Sequence, residues 1–392
     1  MKIKLFNLLL RPVEAILASM SPIIDQETQS QKLFFTDFVR KLLFAYLDEV
    51  SSLRSLVTEL ETNQKCQDLE FQPTPFSTLK DGFSRFQSKH LKTIFETLLS
   101  TIKLKGVKCL DEIGLFQVID GSFFPTLIQM SWSEYRKKKN AFKLHLQFEL
   151  NRMMPTEFLV GSGKSSERDF LLKVLEKGIT YIADRGYASF EVIAQVIKHE
   201  AFFIFRIKAN WIYQVREVLP IEVEELPKCF RSVKDEIVVF SHDKAQNRVR
   251  LVQFEVAGSK FKIIANRLDL RTLQIIILYA YRWQIELFFK YLKRTLKRLH
   301  LFNHSENGVE IQFYLLMTLC LLLLKFKQKN EPVEPEKKEK EKKNQASAAD
   351  WIKQISQIFY ESWKISKRWL LIVKNSLSKV VDNNLLTMLD SC

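Results

Sequence analysis

Three acidic residues lie where their carboxylates could meet in the folded chain. Asp120 and Asp184 each follow a short apolar run, and Glu286 lies inside a long helical pattern. Carboxylate oxygens are hard ligands of the kind that Mg²⁺ prefers, and a few suffice because the ion keeps several waters. Two such ions, about 3.5–4 Å apart, can activate an attacking oxygen and stabilise a leaving oxygen during phosphodiester displacement. These residue types therefore predict a magnesium site, at which Mn²⁺ could substitute.

The two aspartates also have a simpler explanation as turn residues. The apolar run at residues 115–119 predicts a buried strand, and Asp120 then opens a predicted turn, where Asp is common. Residues 179–183 predict a second strand, which ends at Asp184. Acidic residues at strand ends are well placed to converge, but neither aspartate alone distinguishes catalysis from a turn.

Glu286 shares one face of its predicted helix with other functional residue types. Counted from Tyr279, Arg282 lies at +3, Glu286 at +7 and Lys293 at +14, and Lys290 extends the stripe. Basic side chains one or two turns from a catalytic acid could hold phosphates. The alternative is a solvated helix with ordinary charge pairing, such as Glu286 with Lys290, which is the usual explanation of a charge run.

The surrounding pattern indicates an α/β fold. Alternating or β-branched residues predict strands at 142–150 and 202–207, besides the two that carry the aspartates. Three- and four-residue spacing predicts helices at 167–178 and 189–198. Strands that alternate with helices form an α/β layer.

The regions on either side of this layer have different compositions. Residues 1 to about 105 are basic and helical in pattern, and one continuous helix is predicted from Ser77 through Leu98. The later regions comprise a strand-rich stretch at 209–264, a long helix at about 271–300, an apolar helix at about 308–327, a charged linker at 331–344 and a small helical element beyond it.

Charge favours a polyanionic partner. The chain has 392 residues with 60 Lys and Arg against 45 Asp and Glu, a net charge of +15. Nucleic acid is the commonest polyanion, although many basic proteins bind none. The 5 cysteines are widely spaced and form no CxxC pair, which argues against a zinc ribbon or a disulfide framework. The apolar run at 313–324 is shorter than the ~20 residues of a membrane span, so we expect an intracellular protein without membrane contact.

The motifs together resemble a known family. Asp120-Gly121-Ser122, Ala183-Asp184-Arg185-Gly186-Tyr187 and the Tyr279/Arg282/Glu286/Lys293 set resemble the signatures of bacterial insertion-sequence transposases of the "IS-four" family. The last set matches that family's Y-x2-R-x3-E-x6-K motif at every spacing. Weaker similarity includes Lys143-Leu144-His145 and Phe205-Arg206-Ile207-Lys208, and the resemblance covers residues 30 to about 325.

The resemblance implies a fold and a site. It implies an RNase H-like α/β core with a β-rich insertion at about 209–260. Catalysis and metal binding are assigned to Asp120, Asp184 and Glu286. DNA binding is assigned to Tyr279, Arg282, Lys293, Lys290, Arg206, Lys143, His145 and Arg185.

The resemblance also implies an activity and partners. Cut-and-paste transposition uses water to cleave the element ends, and the freed 3′-hydroxyl then attacks target DNA. The partners are double-stranded DNA, as terminal inverted repeats and as target, and a second copy of the chain in a homodimer. We expect a bacterial cytoplasmic, nucleoid-associated protein, whose domains are a helical DNA-binding region at 1–108, a catalytic core at 109–328, a charged linker at 329–346 and a C-terminal helical element at 347–392.

Three alternatives remain open at this level. A transposase descendant could bind DNA without cleaving it, and a magnesium nuclease could cut without joining. Some relatives pass through a DNA hairpin in which a Trp stacks on a flipped base; the matching residue here is Phe261, which leaves the hairpin step open.

Overall fold

The computed structural model describes residues 3–21, 33–125, 130–136, 139–221, 230–256, 258–299 and 301–330. Two compact units divide the chain. We call Lys105–Leu292 the sheet unit, and Met1–Leu104 with Lys293–Cys392 the helical unit. The predicted C-terminal element at 347–392 lies outside the described residues, as does the linker from residue 331. The division follows packing, so the predicted functional boundaries at 108/109 and 328/329 stay predictions.

The described helices are α1 (Ile3–Ser19), α2 (Phe35–Leu47), α3 (Leu53–Thr62), α4 (Gln64–Asp68), α5 (Phe76–Arg85), α6 (Ser88–Thr101), α7 (Lys108–Asp111), α8 (Glu167–Lys173), α9 (Phe190–Lys198), α10 (Thr272–Tyr281), α11 (Trp283–Leu299) and α12 (Glu306–Asn330). The described strands are β1 (Leu115–Pro125), β2 (Glu134–Arg136), β3 (Lys139–Glu149), β4 (Met154–Ser162), β5 (Ile179–Ala183), β6 (Phe202–Arg206), β7 (Tyr213–Val218), β8 (Arg231–Phe240), β9 (Arg248–Val256) and β10 (Ser259–Ala265).

All ten described strands belong to one sheet. Its order is β2-β3-β1-β5-β6-β10-β9-β8-β7, and β4 pairs with β3. β1, β3 and β4 pair antiparallel, whereas β5 and β6 run parallel to β1. The mixed α/β architecture, with helices before and after a large central sheet, confirms the predicted class.

The strand-rich stretch extends the central sheet. β10 pairs antiparallel with β6 at one end of the parallel strands, and β9, β8 and β7 follow it outward. Val238, Phe240 and Leu251 belong to the same buried cluster as residues of β5 and β6. The sequence predicted these strands but not that they join the central sheet, because β10 with β6, the one pairing that attaches them among the described strands, links segments remote in sequence.

In the helical unit, an aromatic cluster explains a break that the sequence did not predict. Phe38 of α2 packs against Phe83 and Phe86 with ring centroids 5.1 Å apart. Phe86 lies between α5 and α6 in extended conformation, so the predicted continuous helix is two helices. A Cβ at Gly82 would lie 2.7 Å from the Phe38 ring, so glycine here allows the close approach of α2.

α12 supplies a central helix of the same unit. It contacts α1, α2, α5 and α6. By length and composition it could cross a membrane, but 72% of its most apolar window is buried inside the protein. Gln312, fully buried within it, bonds to the carbonyls of Asn303 and Gly308. The apolar helix predicted at about 308–327 is therefore a buried core helix of this unit.

Three predicted boundaries were wrong in the segments that carry or flank the acidic residues. β1 continues through Asp120 to Pro125, so Asp120 lies inside a strand and begins no turn. Residues 117–125 all pair with β3, and this pairing keeps the segment extended. The turn prediction considered only the local preference of Asp-Gly-Ser. The predicted helix at 271–300 is divided at Arg282 into α10 and α11. The predicted helix at 167–178 ends early, at Lys173.

Candidate active site

Asp120 and Asp184 occupy the same level of neighbouring strands. In the parallel pairing of β1 with β5, Ile119 lies opposite Ala183. Asp120 directly follows Ile119, and Asp184 directly follows Ala183. Adjacent strands are about 4.7–4.9 Å apart, so the register brings both aspartates to one region of the sheet.

The third acidic residue comes from the junction of α10 and α11. The Tyr279 hydroxyl donates to Asp184 Oδ1 at 3.2 Å. Arg282, the residue between the helices, places Nη1 3.5 Å from Asp120 Oδ2 and Nη2 2.6 Å from Glu286 Oε1. The Arg282 guanidinium also lies 5.9 Å from the centroid of the Tyr279 ring, so Tyr279 and Arg282 together connect all three predicted acids.

The environment of Asp120 disfavours its charged form. Burial raises its pKa from the usual 3.8 to about 6. The N–H of Gly121, which donates to Oδ1 at 2.8 Å, and the charge of Arg282 oppose that effect, while the charges of Glu286 and Glu167 add to it. A nearby cation would stabilise this carboxylate, because an opposite charge favours the ionised form.

A cavity opens over the two aspartates. Its volume is about 450 Å³, and it is lined by Asp120, Glu167, Asp184, Arg185, Gly186, Tyr187 and Lys208. Acidic side chains thus form one part of the wall. Arg185, from the loop between β5 and α9, and Lys208, from the segment after β6, form another part. Such a pocket suits a phosphate chain held next to a cation.

The donor types suit Mg²⁺, although the side chains are not arranged around an ion. Among the residues that the structure describes, no three His, Cys, Asp or Glu side chains are close enough to hold a metal. The Arg282 guanidinium instead pairs with both Asp120 and Glu286. Asp120 and Asp184 present hard oxygens to one cavity. For Glu286 to share a cation with them, Arg282 has to release at least one carboxylate.

Comparison with known families decides the class. A model of the transposase DDE domain matches residues 114–323, more than half of the chain and the whole interval that contains the three acids. This chain belongs to the transposase DDE domain family. The predicted resemblance is confirmed at that level.

Relatives of this DDE domain chain carry transposase names. It is 24% identical over 216 residues to a Sinorhizobium fredii protein named as a transposase, y4zB, covering 54% of this chain and 60% of that one. A Geobacillus stearothermophilus protein named as a transposase for insertion sequence element IS5377 is 22% identical, with 47% of this chain and 49% of the relative covered. A Synechocystis protein named for insertion sequence element IS4SA is 26% identical, with 73% and 80% covered. The chain thus spans about half to three fifths of the length of the first two.

Four predicted DNA-contacting residues of the DDE domain have accessible side chains. Arg185 lines the cavity. Arg206 Nη1 lies 3.9 Å from Asp184 Oδ1, and its guanidinium stacks 4.7 Å from the Phe261 ring. Lys290 and Lys293 are exposed on α11. Arg206 therefore lies between Asp184 and Phe261, the residue that matches the stacking Trp of relatives with a hairpin step.

Lys143 and His145 are buried instead. Lys143 Nζ pairs with Glu167 Oε1 at 2.7 Å. His145 is fully buried, its Nε2 lies 2.8 Å from Ser165 Oγ, and its ring stacks on Phe170. Burial, with the nearby Lys143 charge, lowers the pKa of His145 to about 4, so it is neutral at pH 7. Their predicted DNA contacts stay predictions and would require these contacts to break.

The sequence did not single out three residues of the cavity, namely Glu167, Tyr187 and Lys208. Tyr187 and Lys208 fall inside matched segments, so their motifs held a signal. Glu167 had none of its own, because a first-turn acidic residue is common in helices.

Proposed function

We propose that this protein is a DNA transposase of the "IS-four" type that carries out cut-and-paste transposition of an insertion sequence. One observation carries the proposal. Asp120, Asp184 and Glu286, chosen from motif spacing in three distant segments, are linked through Tyr279 and Arg282. The spacing of the helix motif and the relative named for element IS4SA support the finer family.

The sheet order supports an RNase H-like core. An antiparallel group, β4-β3-β1, is continued by the parallel strands β5 and β6. β7 to β10 then intervene between Asp184 and Glu286, as the proposed insertion requires. The remaining proposed parts are the DNA-binding region at 1–108 and the C-terminal element at 347–392.

The proposed chemistry has two displacement steps. In the first, a water oxygen bonds to a phosphorus at the element end, the P–O3′ bond breaks, and a proton leaves the water. In the second, the freed 3′-hydroxyl loses its proton and bonds to a target phosphorus, and a target 3′-oxygen leaves. Asp120, Asp184 and Glu286 would hold Mg²⁺ or Mn²⁺, which would supply charge stabilisation for the attacking and leaving oxygens.

The basic side chains would hold the DNA during these steps. Arg185 and Lys208 lie on the cavity wall, where they can bind phosphates that flank the scissile bond. Arg282 would exchange a carboxylate for a phosphate, since a guanidinium binds either one through two parallel hydrogen bonds. The proposed partners are terminal inverted repeats, target DNA and a second copy of the chain, in the bacterial cytoplasm.

A cleavage assay tests this function. Linear DNA that carries the sequences flanking the gene is incubated with the full chain, with Mg²⁺ or with EDTA. We expect cuts at the repeat ends with Mg²⁺ only, absent in Glu286→Gln and retained in Glu191→Gln, which changes an exposed acid of α9. Pre-cut ends should join to target DNA. Salt-sensitive binding without cleavage in Mg²⁺ or Mn²⁺ would instead support a DNA-binding descendant, and cleavage without joining a nuclease.

A further inference from the structure

One tyrosine hydroxyl on the cavity has no partner in the protein. Tyr187 lines the cavity, is only 1% exposed, and its hydroxyl makes no hydrogen bond among the residues that the structure describes. Other buried tyrosines of the sheet unit are satisfied, since Tyr181 donates to the carbonyl of Val174 and Tyr279 donates to Asp184. Because the large majority of buried polar side-chain groups have a partner, the Tyr187 hydroxyl points to an acceptor that the folded chain does not supply.

The position of this hydroxyl is fixed in two ways. The Tyr187 N–H donates to the carbonyl of Asp184 at 3.0 Å, which closes a tight turn directly after β5. The Tyr187 ring belongs to the buried cluster that includes Ile119 and Ala183, the residues that precede the two aspartates. A side chain that is already held by packing loses little conformational freedom when it binds a ligand. The hydroxyl is therefore preorganised on the cavity wall.

The charges around the hydroxyl keep it protonated. Burial, with the charges of Asp120 and Glu167, raises the pKa of Tyr187 well above its usual 10, and the charge of Arg282 opposes that effect. A protonated tyrosine can donate a hydrogen bond at neutral pH. Both nearby carboxylates have cationic partners of their own, since Arg282 lies 3.5 Å from Asp120 and Lys143 pairs with Glu167. Neither carboxylate requires this hydroxyl as a donor.

The basic part of the cavity wall favours an anionic acceptor. Arg185 and Lys208 line the cavity together with Tyr187, and both basic side chains are ordinarily positively charged at neutral pH. A phosphate group presents several oxygens, so cations can bind some of them while a neutral hydroxyl donates to another. The arrangement of one buried donor beside two cations suits a phosphate of a nucleic-acid backbone.

We propose that the Tyr187 hydroxyl donates a hydrogen bond to a non-bridging oxygen of the scissile phosphate and thereby orients this phosphate in the cavity. The proposal rests on the proposed function, because that function places a DNA phosphate here. It adds a neutral donor to the charged groups of the site. A donor that is fixed before the reaction stabilises the charge that develops on the phosphate oxygens.

Removal of single hydroxyls tests the proposal, first in the full chain without DNA. Tyr181→Phe removes the donor to the Val174 carbonyl and the acceptor of the Glu176 N–H, so its melting temperature should fall by roughly 2–4 °C. Tyr187→Phe removes a hydroxyl without a protein partner, so its melting temperature should stay within about 1 °C of the wild type or rise. A fall in Tyr187→Phe as large as that in Tyr181→Phe would mean that the hydroxyl bonds within the protein, which overturns the inference.

The second measurement is single-turnover cleavage of DNA that carries a repeat end. Tyr187→Phe should cut about 10- to 100-fold more slowly, the loss expected for a hydrogen bond to a charged group, and Tyr181→Phe should cut at the wild-type rate. Sulfur, a weaker acceptor, then replaces each non-bridging oxygen of the scissile phosphate in turn. For one of the two stereoisomers the slowing caused by sulfur should be smaller in Tyr187→Phe than in the wild type, and for the other it should be the same.

The outcomes separate the inference from the proposed function. A wild-type cleavage rate in Tyr187→Phe would overturn the inference and leave the proposed function intact. Slower cleavage with the same sulfur effects in Tyr187→Phe and the wild type, for both stereoisomers, would also overturn it, because the hydroxyl would then act without touching the phosphate. Wild-type protein that cleaves no repeat end in Mg²⁺ or Mn²⁺ would count against the proposed function and against the inference that rests on it.

Discussion

Two arginines of the sheet unit pair with carboxylates in opposite ways. Arg250 donates through Nε and Nη2 to Asp235 and through Nη1 to the carbonyls of Arg267 and Leu270. The side chains of Arg250 and Asp235 are 4% and 0% exposed, and the Thr272 hydroxyl donates to the same carboxylate. Every branch of this guanidinium has a partner, and the group ties β8 and β9 to the start of α10.

Arg282 is left incomplete by comparison. It reaches two carboxylates on different elements, but its Nε is buried without a hydrogen-bond partner among the described residues. Asp120 and Glu286 remain 20% and 29% exposed. A buried ion pair in which every donor has a partner stabilises a single arrangement, because breaking the pair leaves a buried charge uncompensated. An unsaturated pair at a cavity can exchange partners, which is what a site for metal and phosphate requires.

The largest expected effect is on catalysis, and it tests the role given to the partners of Arg282. Glu286→Gln keeps the shape of the side chain but removes a hard anionic ligand. Cleavage should fall by about 10⁴-fold or more, equivalent to about 5.5 kcal/mol of lost transition-state stabilisation. The melting temperature should change by less than about 4 °C, since the residue is partly exposed. Retention of a tenth of wild-type cleavage would remove Glu286 from the catalytic set.

The second prediction tests the structural role of the Arg250–Asp235 pair. Asp235→Ala leaves Arg250 buried without its carboxylate, and we expect a loss of about 3–5 kcal/mol in the free energy of unfolding. The matched control is Glu217→Gln, which removes an ion pair with Arg248 in the same sheet. Those side chains are 56% and 63% exposed, so the change should stay within about 1 kcal/mol. Urea unfolding measures both, and equal effects would contradict the distinction.

Much of this comparison could not be read from sequence. Asp235 and Arg250 lie in a strand-rich stretch that was predicted correctly, yet nothing in their spacing predicts that they pair across β8 and β9. Register decides such contacts, and register depends on hydrogen bonds between distant segments. The acids of the site were predictable because Asp120, Asp184 and Glu286 belong to motifs with fixed spacing.

The limits of prediction near the site are equally specific. Periodicity predicted one helix where Arg282 separates two, because an αR residue at the junction leaves the apolar spacing intact. Asp-Gly-Ser was taken for a turn because local residue preference ignores the pairing of β1 with β3. Glu167 was missed because its proximity to Asp120 arises only when α8 returns to the sheet.

The third prediction sharpens the comparison through pH. The folded pKa of Asp120, about 6, lies above its usual 3.8, so the folded state holds this proton more tightly than the unfolded state. Below about pH 4 the carboxyl is neutral in both states, so burying it costs no charge desolvation. As pH rises through 6 the buried group ionises, and the free energy of unfolding falls. The penalty reaches at most about 3 kcal/mol. Asp120→Asn should therefore raise the metal-free melting temperature at pH 7.5 but not at pH 4; a uniform shift at both pH values would contradict the pKa assignment.

The smallest effect concerns the exchange of partners at Arg282. Arg282→Lys keeps the charge but loses the planar group that spans Asp120 and Glu286. We expect cleavage to fall about 100-fold, equivalent to about 2.7 kcal/mol, with unfolding free energy within about 1 kcal/mol of wild type. The same substitution at Arg250 should destabilise the fold, because five hydrogen bonds to Asp235 and two carbonyls depend on the guanidinium. If the Lys variants at both positions chiefly destabilised the protein, Arg282 would be a structural residue and not an exchangeable one.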